Sequence, residues 1–216
     1  LKLYLAPMEA LTGCIFRNVY NRYFGDADRY FTPFIASRKL NSKEKNDVLP
    51  EHNQNMDVIP QILTNKSEEF CYIASRLKEY YGYEEVNLNL GCPSGTVVAK
   101  NRGSGFLAVP DDVNRFFEEV FSRTDVRISV KTRTGVENNE NWENILKIYN
   151  EYPISELIIH PRCRKDGYGG KPNLEDFKKA VLISRHSLCY NGDINSVEDY
   201  NAITKEFPTV DKIMCG

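Results

Sequence analysis

In this 216-residue chain, Cys92 is the strongest candidate for a catalytic residue, because it lies between Gly91 and Pro93. Glycine allows a sharp backbone turn and proline fixes the turn that follows, so the thiol is presented on a bend. A thiol with a pKa near about 8.5 is mostly protonated at neutral pH and can donate a proton. The sequence therefore predicts a catalytic Cys92, acting as a general acid or as a nucleophile, rather than a small buried apolar residue.

Polar residues and glycines follow several short apolar runs, at the points where each run ends. Lys131 ends one run, and a lysine there could form a Schiff base or stabilise an electron-rich ring. His160 and Arg162 end another run, and we expect them to face the same site as Lys131. The full set is Pro7, Met8 and Glu9; Gln61; Asn89, Gly91 and Cys92; Lys131 and Arg133; His160 and Arg162; Asn191, Gly192 and Asp193; and Gly216.

Two of these runs end in glycine, at Gly192 and at Gly216. Backbone N–H groups can bind a phosphate closely where no side chain intervenes, and loops after the last strands of a barrel commonly do so. We therefore predict a phosphate-bearing ligand at these two glycines. The alternative is an ordinary Asn-Gly turn.

The elements that must position these residues alternate along the chain. Apolar residues are consecutive within most runs, which is typical of strands buried on both faces. The predicted strands cover residues 3–8, 30–35, 58–63, 85–90, 127–132, 156–161, 187–191 and 211–215. Eight strands with helices between most of them predict an α/β fold of the (β/α)8 TIM-barrel type. An open doubly wound sheet is the alternative, but no Gly-x-Gly-x-x-Gly motif follows the first strand.

Apolar stripes at helical spacing lie between the strands. They comprise Ile15, Phe16, Val19, Tyr20 and Tyr23; Phe70, Ile73, Ala74 and Leu77; Val113, Phe116, Phe117 and Val120; Trp142, Ile145, Leu146 and Tyr149; Leu174, Phe177 and Val181; and Val197, Tyr200 and Ile203. We expect Asn65, Pro110 and Ser196 to begin three of these helices. Residues 36–57 show no period and are expected to form an irregular loop.

Composition sets the general class of the protein. Hydrophobic residues make up 41% and charged residues 27% of the chain, with a net charge of −2, which is typical of a globular protein. No apolar run approaches the roughly 18 residues of a membrane-spanning helix, and the N-terminus does not resemble a signal peptide. No two of the six cysteines form a Cys-x-x-Cys motif, so we expect a cytoplasmic protein without disulfides or a metal. An eighth helix would follow Gly216, so we expect a C-terminally truncated barrel.

Positive charge is concentrated in four segments that follow predicted strand ends. The net charge is +2 in each of residues 36–47, 94–105 and 131–135, and +3 in residues 162–172. A basic rim around a barrel mouth suits a polyanionic substrate, and Lys100 and Arg102 are its candidate contacts after Cys92. The alternative is a set of solvated loops. The glycines of the same loop suit a mobile lid or, alternatively, a surface insertion. They are Gly95, Gly103 and Gly105.

The motifs, taken in order, resemble those of the tRNA-dihydrouridine synthases. They are Ala-Pro-Met-Glu, Asn-Leu-Gly-Cys-Pro, Val-Lys-Thr-Arg, His-Pro-Arg-Cys-Arg with Gly-Tyr-Gly-Gly, and Asn-Gly-Asp-Ile. The resemblance runs from residue 5 to residue 216 and implies that residues 1–216 form an FMN-binding catalytic barrel. It further implies reduction of uracil in tRNA with NADPH as electron source, and a C-terminal helical domain that helps grip tRNA and lies outside this chain.

The resemblance also implies roles for individual residues. Cys92 matches the proton donor for C5 of uracil, Asn89 a position close to the uracil, and Lys131 a group that stabilises negative charge on the flavin. The flavin-binding positions it matches are Pro7, Met8, Glu9, Gln61, Lys131, Asn191, Gly192, Asp193 and Gly216, with His160 and Arg162 near the flavin or its phosphate. The family's phosphate site usually continues as Gly-Arg-Gly, beyond the end of this chain.

Other functions stay open at this point. A small-molecule flavin oxidoreductase of the dihydroorotate dehydrogenase type would share the phosphate site and Lys131, and a class I aldolase could use the same lysine. A barrel that binds RNA without flavin is the non-catalytic alternative. The basic rim argues against the small-molecule enzyme, because a small acid needs one or two cations rather than several.

Overall fold

The computed structural model describes residues 1–25 and 27–216. Within them, nine strands form one sheet in which every hydrogen-bonded neighbour is parallel. The strands are β1 (Lys2–Leu5), β2 (Arg29–Phe31), β3 (Val58–Ile59), β4 (Gln61–Ile62), β5 (Glu85–Leu90), β6 (Arg127–Gly135), β7 (Glu156–Cys163), β8 (Leu188–Asn191) and β9 (Lys212–Cys215).

The strand order is β3-β2-β1-β9-β8-β7-β6-β5-β4, so its two ends are consecutive in the chain. Only Pro60 separates β3 from β4. Proline has no N–H to donate to a ladder, so one barrel strand is divided into two short pieces at this residue. The sheet is therefore a nearly closed, eight-stranded barrel, and the TIM-barrel prediction is confirmed.

Helices cover the outside of the barrel. Among the described residues the α-helices are α1 (Cys14–Tyr23), α2 (Ser42–Val48), α3 (Ser67–Tyr81), α4 (Gly95–Val98), α5 (Pro110–Phe121), α6 (Trp142–Asn150), α7 (Leu174–Ile183) and α8 (Val197–Glu206). The 3-10 helices are Pro50–His52, Gly103–Ala108 and Arg164–Asp166. None of these helices is both long and apolar enough to cross a membrane.

Two of the three predicted helix starts are confirmed. Pro110 is the first residue of α5, and the Ser196 side chain accepts a hydrogen bond from the Asp199 amide at 3.1 Å. The prediction for Asn65 is wrong, because α3 begins at Ser67. The side-chain Nδ2 of Asn65 instead donates to the Lys100 carbonyl at 3.1 Å. Asn65 therefore ties down a neighbouring loop rather than capping a helix.

The prediction of an irregular loop for residues 36–57 is wrong, because this segment contains α2 and the 3-10 helix Pro50–His52. A capping box begins α2, in which Asn41 accepts from the Glu44 amide and Glu44 accepts from the Asn41 amide. This helix buries only Asp47 and Val48. No apolar stripe marks it in the sequence, and only the capping box could have predicted it.

The apolar stripe predicted on α1 does not pack on the core as a whole. Phe16 and Tyr20 contact buried residues. The exposed members are Ile15, Val19 and Tyr23. The fully buried residue of α1 is Arg17, whose guanidinium donates to the Asp47 carbonyl and to Asn53 Oδ1. A hydrogen-bonded arginine thus takes the buried place that periodicity assigned to apolar side chains.

The barrel interior is divided into an apolar part and a polar part. The apolar part consists of Tyr4, Ala6, Phe31, Ile59, Ile158, Cys189 and Met214. The polar part is a chain of buried side chains in which Asn89 donates to Gln61, Gln61 to Asn87, and Asn87 to Ser129. Because each buried amide has a partner, this chain costs little and gives the polar side of the interior a fixed arrangement.

Candidate active site

The period of two along a strand decides which side chains enter the barrel. On β6, Val130 packs toward the helices, so Lys131 and Arg133 face inward. Register then pairs Asn89 of β5 with Lys131, and Arg133 with His160 of β7. Four chemically active side chains from three strands therefore meet at the carboxyl end of the barrel, where barrel enzymes carry their sites.

A cavity of about 640 Å³ opens at this end of the barrel, within the range of about 300–1,000 Å³ that is usual for cofactor and ligand sites. It collects most of the site residues predicted from the sequence. Those that line it are Pro7, Met8, Glu9, Asn89, Cys92, Lys131, His160, Arg162, Asn191, Gly192, Asp193 and Gly216. Residues from both ends of the chain thus form one site.

The Cys92 thiol is half-buried at this cavity. Burial is the main reason that its pKa is raised above the ordinary value of a thiol, and the Glu9 carboxylate adds to that effect. The Ser94 amide and the cations Arg133 and Lys131 act in the opposite direction and do not overcome it. The thiol is therefore protonated at neutral pH, which suits a proton donor rather than a thiolate nucleophile.

The Asn89 side chain holds the turn that carries Cys92. Its Oδ1 accepts from the Gly91 amide at 3.0 Å and from the Cys92 amide at 2.9 Å. Its Nδ2 donates to Gln61 Oε1 at 2.7 Å. Gln61 itself lies beneath Asn89, almost fully buried, and does not line the cavity. Both residues thus support the turn, and one N–H of Asn89 is not used in these bonds.

Lys131 lies at the floor of the cavity and donates to Asn191 Oδ1 at 2.7 Å. Asn191 in turn donates to the Met214 carbonyl at 2.9 Å, so the lysine is fixed to the end of β9. Burial, reinforced by the positive charge of Arg133, lowers the pKa of Lys131 to about 8. At neutral pH the ammonium is still charged, and it lies in a site that favours an added negative charge.

His160 is a neutral ring at neutral pH. Arg162 donates from Nη1 toward His160 Nε2 at 3.0 Å, which assigns the ring proton to Nδ1. Burial lowers the pKa of His160 to about 2, with the cations Lys131, Arg133 and Arg162 acting in the same direction. The ring is thus suited to donate a hydrogen bond through Nδ1 and is unsuited to take up a proton.

Arg162 forms a two-pronged ion pair with Asp193, at 2.8 Å and 2.6 Å, and also donates to the Gly170 carbonyl. Its Nε is buried and has no hydrogen-bond partner. A buried N–H that is left unpaired costs free energy, so a ligand atom that accepts from it would be stabilised. With Lys131 and Arg133 at the same cavity, this donor suits a ligand that carries negative charge.

The two predicted phosphate glycines both lie where a side chain would not fit. A Cβ at Gly216 would lie 2.5 Å from the Ala6 Cβ, and one at Gly192 would lie 2.3 Å from the Tyr190 hydroxyl. Both glycines line the cavity. Packing against the Tyr190 and Ala6 side chains therefore favours glycine at both positions, and the phosphate role stays a prediction.

Lys100 and Arg102 lie outside this cavity. The Arg102 guanidinium forms an ion pair with Glu69 at 3.0 Å and donates to the Ala36 carbonyl at 3.4 Å. Lys100 is exposed. Of the two predicted contacts for a polyanion, only Lys100 therefore presents its charge to solvent without a carboxylate beside it.

Two of the three glycines in the same loop, Gly103 and Gly105, lie in a closely packed segment. Gly103 has a φ of +55°, and a Cβ there would lie 2.8 Å from the Cys92 carbonyl oxygen. A Cβ at Gly105 would lie 3.0 Å from the backbone of Val98. Both glycines are buried in the 3-10 helix Gly103–Ala108. They allow close packing beneath Cys92, whereas Gly95 is exposed at the start of α4 with nothing within 4 Å of its missing Cβ.

Arg133 and Tyr168 line the cavity, although the sequence analysis gave neither of them a role. Arg133 was recognised at the strand end but not assigned a role, and Tyr168 lies in the glycine-rich loop after β7. The Tyr168 ring is 78% exposed, 5.5 Å from the Arg133 Cζ and 6.3 Å from the His160 ring. An aromatic residue between glycines in the basic segment 162–172 is the signal that could have identified it.

The described residues contain no group of three or more His, Cys, Asp or Glu side chains that could hold a metal ion. The cavity itself is lined by one protonated thiol, one lysine, two arginines, a neutral histidine, the carboxyl groups of Glu9 and Asp193, and the Tyr168 phenol. These groups can donate protons and stabilise negative charge, but they supply no electrons. Reduction at this site would need a bound cofactor.

Comparison with known proteins supports the resemblance. Residues 4–216 match the family model described as dihydrouridine synthase (Dus). The tRNA-dihydrouridine synthase B of Pasteurella multocida is 27% identical over 217 residues, which cover 100% of this chain and 64% of that protein. A probable tRNA-dihydrouridine synthase of Staphylococcus aureus is 31% identical over 168 residues, covering 75% of this chain and 50% of that protein. This chain thus spans less than two thirds of the length of these relatives.

Solved structures share the fold. Morphinone reductase in complex with tetrahydroNAD superimposes with a TM-score of 0.65 at 11% identity, covering 100% of this chain and 82% of that chain. A variant of NCR from Zymomonas mobilis gives a TM-score of 0.65 at 14% identity, covering 100% and 81%. Identities this low show the barrel fold alone. The family match over residues 4–216 goes further, and on it this chain belongs to the dihydrouridine synthase family.

Proposed function

We propose that the cavity binds FMN and that the protein reduces uridine in tRNA to 5,6-dihydrouridine, with NADPH as electron source. The observation that carries the proposal is the protonated Cys92 thiol at the same cavity as Lys131 and the unpaired Nε of Arg162. A proton donor and two cationic donors are the groups that this reduction requires from the protein. Membership of the dihydrouridine synthase family supports the choice of uridine.

The residues fit an anionic cofactor. Lys131 and Arg133 supply positive charge, Arg162 Nε offers an unused donor, and Gly192 and Gly216 line the cavity without a side chain. FMN supplies the hydride when it is bound. Lys131 would hold the flavin ring and stabilise negative charge on it, and the two glycines would lie against its phosphate.

Cys92 would donate the proton that completes reduction of the uracil double bond. Its raised pKa keeps the thiol protonated at neutral pH, so the proton is available when negative charge develops on the substrate. His160 would stay neutral throughout and act as a hydrogen-bond donor through Nδ1. Its ring therefore orients a neighbouring group without competing for the proton of Cys92.

A uracil in folded tRNA must leave its base stack to reach a cavity of this kind. The basic segments at the carboxyl ends of the strands would attract the phosphates around the flipped base. Tyr168 is an exposed aromatic ring at the cavity, where a base could stack. Together these features favour tRNA over a small acid as the substrate.

The test is mass spectrometry of nucleosides from an unmodified tRNA transcript incubated with the purified chain, FMN and NADPH. We expect dihydrouridine with the wild-type protein and at least a hundredfold less with Cys92→Ala. Cys71→Ala on α3, remote from the cavity, is the matched control and should retain activity. A wild-type protein that binds FMN and accepts electrons from NADPH, yet forms no dihydrouridine, would contradict the proposal.

A further inference from the structure

The two peptide groups around Cys92 are held on every side. Asn89 accepts from both the Gly91 and the Cys92 amide. Arg133 Nε donates to the Gly91 carbonyl at 3.0 Å. The Cys92 carbonyl accepts from Ser104 twice, from its amide at 3.1 Å and from its hydroxyl at 2.8 Å. Every polar backbone atom of residues 91 and 92 therefore has a named partner.

Arg133 joins this turn to the far side of the site. Its side chain is 1% exposed, and its Nη1 donates to the Cys163 carbonyl at 2.9 Å, at the end of β7. One guanidinium thus ties the turn after β5 to the end of β7, across β6. A planar fork with donors in two directions can make both bonds at once, whereas a lysine ammonium of different reach and shape cannot.

Burying this cation has a cost, which indicates that the site depends on it. Burial lowers the pKa of Arg133, and the charge of Arg162 acts in the same direction. The guanidinium contacts two backbone carbonyls in these bonds rather than a carboxylate. A buried charge held mainly by carbonyl groups is a weak source of stability, so geometry is the better explanation of its place.

Ser104 holds the turn from below. It is fully buried in the 3-10 helix Gly103–Ala108. A Cβ on the preceding residue, Gly103, would lie 2.8 Å from the Cys92 carbonyl oxygen and 3.0 Å from the Cys92 Cβ. This helix therefore packs directly against the backbone that carries the thiol.

We propose that Arg133 and Ser104 are positioning residues that aim the Cys92 thiol, Arg133 through the Gly91 carbonyl and Ser104 through the Cys92 carbonyl. Their part in catalysis rests on the proposed function, because it presupposes that Cys92 is the proton donor. Proton transfer needs donor and acceptor within about 2.6–3.2 Å, and an error of about 1 Å can cost roughly a hundredfold in rate. Clamping the backbone of the thiol is the means by which the chain meets that tolerance.

The test compares Arg133→Lys and Ser104→Ala with the wild type. Arg133→Lys keeps the charge and loses the two-way fork, and Ser104→Ala removes the hydroxyl but keeps the amide bond. Arg127→Lys is the matched control, since Arg127 is exposed at the opposite end of β6. The first readout needs neither flavin nor tRNA. It is the rate at which iodoacetamide alkylates Cys92, followed against pH by peptide mass spectrometry with Cys71 as internal reference.

We expect Cys92 to react roughly tenfold faster in Arg133→Lys and several-fold faster in Ser104→Ala, because each lost hydrogen bond favours opening of the turn. The Cys71 rate should stay constant in all variants. In single turnover, uridine reduction should slow by roughly 10- to 100-fold in Arg133→Lys. It should also slow in Ser104→Ala, with unchanged tRNA affinity and unchanged flavin reduction, because Ser104 does not line the cavity. A merely structural change would move tRNA affinity or flavin reduction as well.

The proposal would be overturned if both variants had the same Cys92 alkylation rate and the same rate of uridine reduction as Arg127→Lys. If circular dichroism shows that Arg133→Lys does not fold, Ser104→Ala decides by the same two readouts. If the wild type forms no dihydrouridine while both variants expose Cys92, the proposed function fails and the clamp stands. If the wild type forms dihydrouridine and both variants keep its alkylation and reduction rates, the clamp fails and the proposed function stands. The two failures are therefore distinguishable.

Discussion

Replacing Lys131 by methionine should make the protein more stable when no cofactor is bound. Burial lowers the pKa of this lysine from 10.5 to about 8, and each pKa unit corresponds to about 1.4 kcal/mol. The charged form therefore costs about 3 kcal/mol at neutral pH. Lys131→Met removes that cost and gives up the hydrogen bond to Asn191, worth about 1 kcal/mol. We expect a net gain of about 2 kcal/mol and a Tm higher by about 4–8 °C.

The pH dependence gives this prediction its sign. A lysine with a lowered pKa binds fewer protons in the folded than in the unfolded state between about pH 8 and 10.5. Wild-type stability should therefore rise with pH through this window, relative to the variant. Thermal melts from pH 6 to 10.5, followed by circular dichroism, should show the advantage of Lys131→Met below pH 8 and its loss near pH 10.5.

Lys205→Met, at an exposed position on α8, is the control and should change Tm little at any pH. A lower Tm for Lys131→Met at pH 7 would refute the reasoning, and so would a difference that does not vary with pH. The same variant should bind FMN weakly, because the ammonium that favours the flavin is gone. A site that gives up stability for function is the expected source of such opposed effects.

Two further predictions concern the loop after Cys92. Lys100→Ala should lower the slope of log tRNA affinity against log salt by about 0.7–0.9. Arg102→Ala should leave that slope unchanged, because Glu69 already pairs with this arginine. Equal slopes for both variants in a filter-binding titration would contradict the assignment. Gly103→Ala should destabilise the fold by roughly 1–3 kcal/mol in urea titration, given the positive φ and the contact with the Cys92 carbonyl. Gly95→Ala, where nothing lies within 4 Å, is its control, and equal effects at both glycines would count against the packing role.

The sequence predicts the barrel well because each strand is a short, continuous apolar run. The prediction for residues 85–90 coincides with β5, since both faces of this strand are covered. The predicted strand 58–63 is broken at Pro60, where the missing N–H interrupts the ladder. Periodicity fails where burial is polar or slight. It placed Ile15 toward the core, although Arg17 is the buried residue of α1, and it missed α2.

The candidate site could be predicted because the carboxyl ends of parallel strands converge, which brought Cys92 and Lys131 to one cavity. Convergence alone does not say which polar groups face a ligand and which hold the backbone. Asn89 and Gln61 proved to support the turn of Cys92 through an amide chain. The partner of Arg102 is Glu69, which is distant in sequence, so the ion pair could be found only in the folded structure.

Oxidation of the reduced flavin by tRNA, followed in an anaerobic stopped-flow instrument, tests the central claim most directly. The flavin of the wild-type protein, once it has been reduced by NADPH, should be oxidised when unmodified tRNA is added. Cys92→Ala should bind and reduce FMN normally, yet its flavin should be oxidised by tRNA about 10²–10⁴-fold more slowly. Cys92→Ser should recover little, since a hydroxyl is a weaker acid than a thiol. If tRNA oxidised the flavin of Cys92→Ala at the wild-type rate, that result would contradict the assignment of Cys92 as the proton donor.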